Sequence, residues 1–234
     1  MSNEVKQECQ SRNYELMTEY NPKSPLAESY RTLRTNLRFL SPDNRLQTIA
    51  ITSSIPGEGK SITVANLAIS MVQDGQDVII IDTDLRRPMQ HRLFEVANYS
   101  GLSNILTNEI DLNDGLQETS ISGLNIISSG MIPPNPAELL GSNKMEEVIK
   151  EAKGIADVVV IDCPPVIAVS DSRILTDKVD GVILVVASHE TNGDAVVKSK
   201  EMLEQVQANI IGTILTKYPV QESSGYYSGY YQYY

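Results

Sequence analysis

Cysteine, basic charge and long apolar runs are all scarce in this chain, and each shortage excludes something. Cys9 and Cys163 are the only cysteines in 234 residues and have no metal-ligand spacing, so they read as reduced thiols of a cytoplasmic protein. Lys and Arg number 19 against 30 Asp and Glu; the net charge of −11 argues against a broad nucleic-acid-binding surface while leaving room for a local basic patch. The apolar stretch Val182-Ile-Leu-Val-Val-Ala187 falls far short of the ~20 residues that a spanning helix needs. The opening Met-Ser-Asn-Glu-Val-Lys has no apolar core of the signal-peptide kind. Any link to a membrane is therefore expected to come through a partner.

What is present is an alternation of apolar runs and helical patterns. Residues 1–24 read as a polar, loosely held N-terminus, and a helix is expected over 25–44, from Pro25 through Leu40 to the Ser41-Pro42-Asp43-Asn44 stop. Strands are expected near 47–53, 78–82, 124–128, 157–162, 181–187 and 210–215. Helices are expected near 60–74, 135–153, 170–178 and 193–207, with short helical turns around 101–118. The strands are continuously apolar rather than alternating, as in a sheet covered on both faces. The expected fold is α/β: a doubly wound, mostly parallel sheet with helices on both faces over 45–217, followed by a low-complexity tail over 218–234.

Between the first strand and the helix that Gly75 ends stands Ser54-Ile-Pro-Gly-Glu-Gly-Lys-Ser61. It fits the phosphate-binding P-loop except that Ser54 replaces the first Gly of the general motif. Gly57 and Gly59 let successive backbone N–H groups turn inward around phosphate oxygens. Lys60 brings a point charge to the β- and γ-phosphates, Ser61 offers a hydroxyl to Mg²⁺, and the helix that begins there aims its positive end at the same anion. The nucleotide-binding segment is placed at Pro56, Gly57, Glu58, Gly59, Lys60, Ser61 and Ile62.

Two strands end in acids, Val78-Ile-Ile-Ile-Asp82-Thr-Asp84 and Val158-Val-Val-Ile-Asp162. An aspartate after four apolar strand residues is the pattern that holds Mg²⁺ through its water shell, and a second acid nearby can accept the proton of an attacking hydroxyl. A lone strand-end aspartate also serves as a helix cap or turn former. Arg86 and Arg87 either steady phosphate charge or form surface ion pairs. Glu28, Arg31 and, more obliquely, Arg34 share one side of the first helix, which in isolation reads as a solvated face. The last nine residues hold six of the eleven tyrosines, Tyr226, Tyr227, Tyr230, Tyr231, Tyr233 and Tyr234, either an adhesive segment or a set of phosphate acceptors.

Taken together, the P-loop, the Asp-x-Asp, the second strand-end Asp, Glu-x-x-Arg-x-x-Arg, Gly130-Met-Ile-Pro-Pro-Asn-Pro-Ala-Glu-Leu-Leu140 and the tyrosine tail resemble the bacterial tyrosine kinases. More narrowly, the chain looks like the separate cytoplasmic kinases of capsule or exopolysaccharide systems in Gram-positive bacteria. The resemblance implies ATP and Mg²⁺ as cofactors and autophosphorylation of the tail tyrosines. It implies catalysis by Lys60, Asp82, Asp84 and Asp162, with the metal at Ser61, Asp82 and Asp162 and the acceptor hydroxyl at Asp84. It further implies a homo-oligomeric ring joined through Glu28, Arg31 and Arg34, and recruitment to the inner membrane face by a transmembrane polysaccharide co-polymerase-type activator. Other protein substrates phosphorylated on tyrosine, and no nucleic acid, complete the expected partners. Thr216-Lys217 stands where related nucleotide-binding proteins have Asn-Lys to read the base. A partition- or septum-type ATPase is the rival reading, though such proteins usually carry Lys where this chain has Ile55 and lack a tyrosine tail; a non-catalytic nucleotide-dependent scaffold is a third.

Overall fold

In the computed structural model, residues 16–40 and 46–219 are described. The six tail tyrosines and Cys9 lie outside them. Seven strands form one sheet: β1 (Thr48–Ser53), β2 (Val78–Asp82), β3 (Leu116–Glu118), β4 (Leu124–Ile127), β5 (Val158–Asp162), β6 (Gly181–Ala187) and β7 (Ile210–Thr216). Their order is β3-β4-β2-β5-β1-β6-β7, and every pairing is parallel except β3 with β4. Every residue of β1, β2, β5 and β6 is buried, as the apolar runs require.

Helices cover both faces. On one lie α1 (Met17–Tyr20), α2 (Pro25–Leu40), α3 (Lys60–Val72) and the short α4 (Gln90–Leu93); Tyr30, Leu37, Val64, Leu67 and Ile69 pack there against Ile49, Ile51, Ile80 and Val160. On the other lie α5 (Leu102–Leu106), α6 (Leu112–Gly115), α7 (Pro136–Leu140), α8 (Asn143–Ile155), α9 (Asp171–Leu175) and α10 (Gly193–Glu204), where Leu102, Leu140, Val148 and Leu203 meet Ile79, Ile81 and Ile161. Each large apolar side chain buried in this way contributes about 1.5–3 kcal/mol.

Four expectations need correction. The segment before Pro25 is held down from Leu16 onward: the Thr18 N–H donates to Asn66 Oδ1 (2.9 Å), Gln73 Nε2 donates to the Thr18 carbonyl (3.0 Å), and Leu16 is buried. The single helix expected over 135–153 is two. The Gly141 N–H closes α7 on the Ala137 carbonyl (3.0 Å), and Ser142 then turns extended to start α8. Residues 116–118 form an antiparallel edge strand rather than a helical turn, and its three residues are too few for a periodic signal. The helix expected over 170–178 is regular only over Asp171–Leu175.

Parallel pairing sets Asp82 level with Asp162 and Ile51 level with Asp162. The P-loop leaves β1 one strand away, so three separated sequence motifs converge at the carboxyl ends of adjacent strands, where ligands of open α/β sheets bind.

Candidate active site

Gly57 and Gly59 both adopt φ +87°, the left-handed region that a side chain disfavours. A Cβ on Gly57 would point into open space, and one on Gly59 would meet Thr216 at 3.7 Å, so backbone conformation, more than crowding, calls for glycine at both. Gly59 is also the N-cap of α3, which leaves its first N–H groups facing the loop's concavity. Ser54, in the place of the motif's first glycine, is fully buried.

The Glu58 side chain faces away from this cradle. Its Oε2 accepts the Ile55 N–H (2.7 Å), while its Oε1 accepts the Ala187 N–H (3.2 Å) and the Thr191 hydroxyl. With 2% exposure it belts the loop to the end of β6. The Thr216 hydroxyl donates to the Glu58 carbonyl (2.7 Å), fastening the loop to β7 as well. Of the expected nucleotide-binding segment, then, Glu58 can offer a ligand its backbone but not its carboxylate. Lys217, next to Thr216, is paired with Glu190 (2.5 Å).

Lys60 occupies the centre. Its Nζ stands 2.9 Å from Asp84 Oδ2, 3.3 Å from Asp162 Oδ1 and 3.2 Å from Ser61 Oγ. Burial works against its charge, but the Asp162 and Asp84 carboxylates outweigh that and hold its pKa above the ordinary lysine value. The ammonium is fixed as a cation at the spot a phosphate would enter.

The acids have distinct surroundings. Asp82 is fully buried and accepts the N–H groups of Asp84 (3.2 Å), Met89 (3.1 Å) and Gln90 (3.0 Å), so it anchors the start of α4 in addition to any metal role. Burial, reinforced by the Asp162 charge, pushes its carboxyl up to about 8, against the pull of the Gln90 N–H and Lys60. Asp84 turns Oδ1 to the Arg87 N–H (3.0 Å) and Oδ2 to Lys60. Asp162 is fully buried between Lys60 and Gln90, whose Nε2 donates to its Oδ2 (2.7 Å) and to the Ser61 carbonyl (3.0 Å). Sequence reasoning missed Gln90, which has no motif of its own. Gln90 orients Asp162 and ties it to the P-loop helix, and its Oε1 is buried without a partner.

Arg86 is committed elsewhere: its guanidinium grips the fully buried Asp171 through Nε (2.9 Å) and Nη2 (3.3 Å), so of its two expected roles the ion pair is realised. Arg31 pairs with Glu28 on its own helix (2.8 Å) and both are accessible, whereas Arg34 turns into its own chain. It donates to the Ser70 carbonyl (2.5 Å) and meets Asp74 (3.2 Å), clamping α2 to the end of α3 with 14% of its side chain exposed.

The donor set suits a nucleotide and a hydrated divalent ion. The two left-handed glycines and the α3 N-terminus form an anion cradle. No group of three His, Cys, Asp or Glu side chains among the described residues makes an all-protein metal cage. Mg²⁺ seldom needs one, since it keeps waters and takes one or two carboxylates plus substrate phosphates. Ser61, Asp82 and Asp162 are the groups here that would supply such a partial shell.

Fold and site together define a P-loop nucleotide-binding protein. The family model for ParA, described as an NUBPL iron-transfer P-loop NTPase, matches residues 45–220. A tyrosine-protein kinase of Bacillus subtilis (strain 168), YwqD, is 42% identical over 220 residues, 94% of this chain and 91% of that protein. The putative tyrosine-protein kinase CapB of Staphylococcus aureus is 36% identical over 88% of this chain and 90% of its own. Among solved structures, the chimerical protein CapA2B2 superposes with a TM-score of 0.85 at 38% identity, covering 88% of this chain and 91% of that one. The chain belongs to the bacterial tyrosine-protein kinases, P-loop enzymes that phosphorylate protein tyrosine. The partition- or septum-type ATPase reading has less support, because relatives named as kinases match nearly the whole chain.

Proposed function

We propose that this kinase transfers the γ-phosphate of ATP to the tyrosines of its own C-terminal cluster, and that in doing so it regulates the synthesis and export of a capsular or extracellular polysaccharide. The observation that carries the reading is the Lys60 ammonium held between Asp84 and Asp162 at the mouth of the P-loop. Backbone N–H groups of 57–61 and Lys60 bind and orient the phosphates, and Lys60 stabilises charge that grows on the transferred group. Ser61, Asp82 and Asp162 would hold Mg²⁺, which would supply neutralisation of phosphate charge. Asp84, the least enclosed of the three acids at 5% exposure, lies on the acceptor side and takes the tyrosine proton. Gln90 keeps Asp162 aimed at the site.

The acceptors are Tyr226, Tyr227, Tyr230, Tyr231, Tyr233 and Tyr234, presented by a neighbouring subunit in a ring whose contacts include Glu28 and Arg31. Arg34 supports that surface from within by fixing α2. No described helix is long and apolar enough to cross a membrane, and the proposed membrane tie is a transmembrane activator that recruits the chain from the cytoplasm. From Tyr218 the chain runs on for seventeen residues, a length sufficient to enter an adjacent cleft. Each phosphotyrosine adds about −1.5 to −2 charge, so a fully modified tail repels its neighbours and loosens the ring. The test mixes a tailless active chain with full-length Lys60→Met in Mg-ATP. Label on the inactive chain is expected; its absence, where wild type labels itself, refutes transfer between subunits. Phosphotyrosine on Lys60→Met alone at the wild-type level refutes the site.

A further inference from the structure

Next to the transfer site lies a cleft of about 540 Å³, lined among others by Arg87, His91, Arg92, Asn98, Met131 and Ile132. Its lining adjoins the site in the chain, and the Arg87 N–H is bonded to Asp84 Oδ1 at 3.0 Å. Arg31, Arg34, Arg38 and Arg86 each face a carboxylate. Among the described residues the guanidinium groups of Arg87 and Arg92 face none, and both are exposed. Two guanidinium groups without a carboxylate partner in one cleft are notable in a chain of net charge −11. The same lining carries the exposed apolar side chains of Met131 and Ile132, at 64% and 65% exposure. Guanidinium groups and exposed apolar side chains in one cleft suit an aromatic ring that carries a dianion.

Resting on the proposed autophosphorylation, we infer that this cleft is a phosphotyrosine subsite. It holds a tail tyrosine already modified while a second tyrosine of the same tail reaches Asp84, so that modification of one residue promotes that of the next. The tail's spacing fits. Tyr230 has tyrosines three and four residues away on both sides, at Tyr226, Tyr227, Tyr233 and Tyr234. A modified Tyr230 would thus have an unmodified tyrosine on either side to offer to Asp84. Arg87 and Arg92 would each form charge-assisted, forked hydrogen bonds to the phosphate, and the ring would lie against Met131 and Ile132.

The test is binding, which needs no turnover and so fails separately from the kinase reading. A labelled peptide of residues 225–234, with or without one phosphate on Tyr230, is titrated by fluorescence anisotropy onto full-length Asp84→Asn, which keeps Lys60 and its nucleotide site, saturated with Mg-ADP. The phosphopeptide should bind at least tenfold tighter than the unmodified peptide. In an Arg87→Gln/Arg92→Gln background the preference should fall below twofold, while Arg31→Gln keeps it. In Mg-ATP with the active chain, the same pair should lower the ratio of multiply to singly phosphorylated protein at least fivefold by intact mass. Equal binding of both peptides, or a preference that survives the double substitution, overturns the subsite. A preference seen only without Mg-ADP overturns it too, because the phosphate would then be occupying the nucleotide cradle. Absence of phosphotyrosine on wild type in Mg-ATP would instead remove the kinase reading.

Discussion

Truncating Glu58 to alanine offers a test of how the P-loop is held. The carboxylate is 2% exposed and accepts from Ile55 N–H, Ala187 N–H and the Thr191 hydroxyl, so it links the loop to the end of β6. In Glu58→Ala both N–H groups lose a charged acceptor. Each buried unsatisfied donor costs about 1–3 kcal/mol, and partial access of water to the new space offsets some of this, so a net loss of about 3 kcal/mol is expected. At roughly 2–4 °C per kcal/mol for a protein of this size, the melting temperature should fall by about 6–12 °C. Because the loop's conformation is what presents its N–H groups to phosphate, affinity for Mg-ADP should fall at least tenfold, equivalent to about 1.4 kcal/mol. Glu58→Gln should lie between the two, keeping the volume but setting an amide NH₂ against backbone donors. Scanning calorimetry and isothermal titration on the purified chain read both quantities. A Glu58→Ala protein that melts within 2 °C of the parent with unchanged nucleotide affinity would refute the belt, and a lost affinity at unchanged stability would return the carboxylate to the nucleotide.

Asp84→Asn is expected to slow phosphotyrosine formation by about 10²–10⁴-fold, the range for a lost general base, with nucleotide affinity changed far less; a rate within threefold of wild type would place proton acceptance elsewhere. Arg34→Ala should cost about 1–3 kcal/mol, since it removes charged hydrogen bonds from α2 to α3, and so lower the melting temperature by several degrees even in monomeric protein. Loss of the oligomer without that drop would make Arg34 a subunit contact instead. Asp180 accepts the backbone N–H groups of Gln47 and Thr48 (2.9 and 2.8 Å). Burial acts to raise its pKa, but these bonds, the Thr48 hydroxyl contact and Lys153 prevail and lower it. A folded pKa below the unfolded one means stabilisation that is full above the ordinary carboxylate range and lost as pH falls through the folded value. Asp180→Asn should therefore melt earlier at neutral pH and show a shallower acid decline, and parallel melting curves from pH 7 to 3 would count against it.

What could be read from the sequence was whatever is local along the chain. The P-loop is eight consecutive residues, and each strand-end acid follows its own apolar run, so Lys60, Ser61, Asp82, Asp84 and Asp162 could be named without knowing how the strands pair. Burial on both faces was legible for the same reason: β1, β2, β5 and β6 have no polar alternation to leave one face wet. Side-chain direction was not legible, because it depends on partners distant in sequence. Glu58 sits among phosphate-binding residues, yet its acceptor sites are filled by groups 129 and 133 positions later. Arg34 shares a helix side with Glu28 and Arg31, but its carbonyl partner lies 36 positions away on α3 and draws it inward. Gln90 carries no signal in the linear pattern; its place is created by Asp82, whose carboxylate starts α4 so that the amide reaches Asp162 and Ser61 at once. The strand-end aspartate therefore realises its expected role as a structural anchor for a turn, alongside the role in the site proposed for it. Replacing it should accordingly disturb folding and catalysis together, unlike Asp84, whose side chain accepts only the local Arg87 N–H besides facing Lys60.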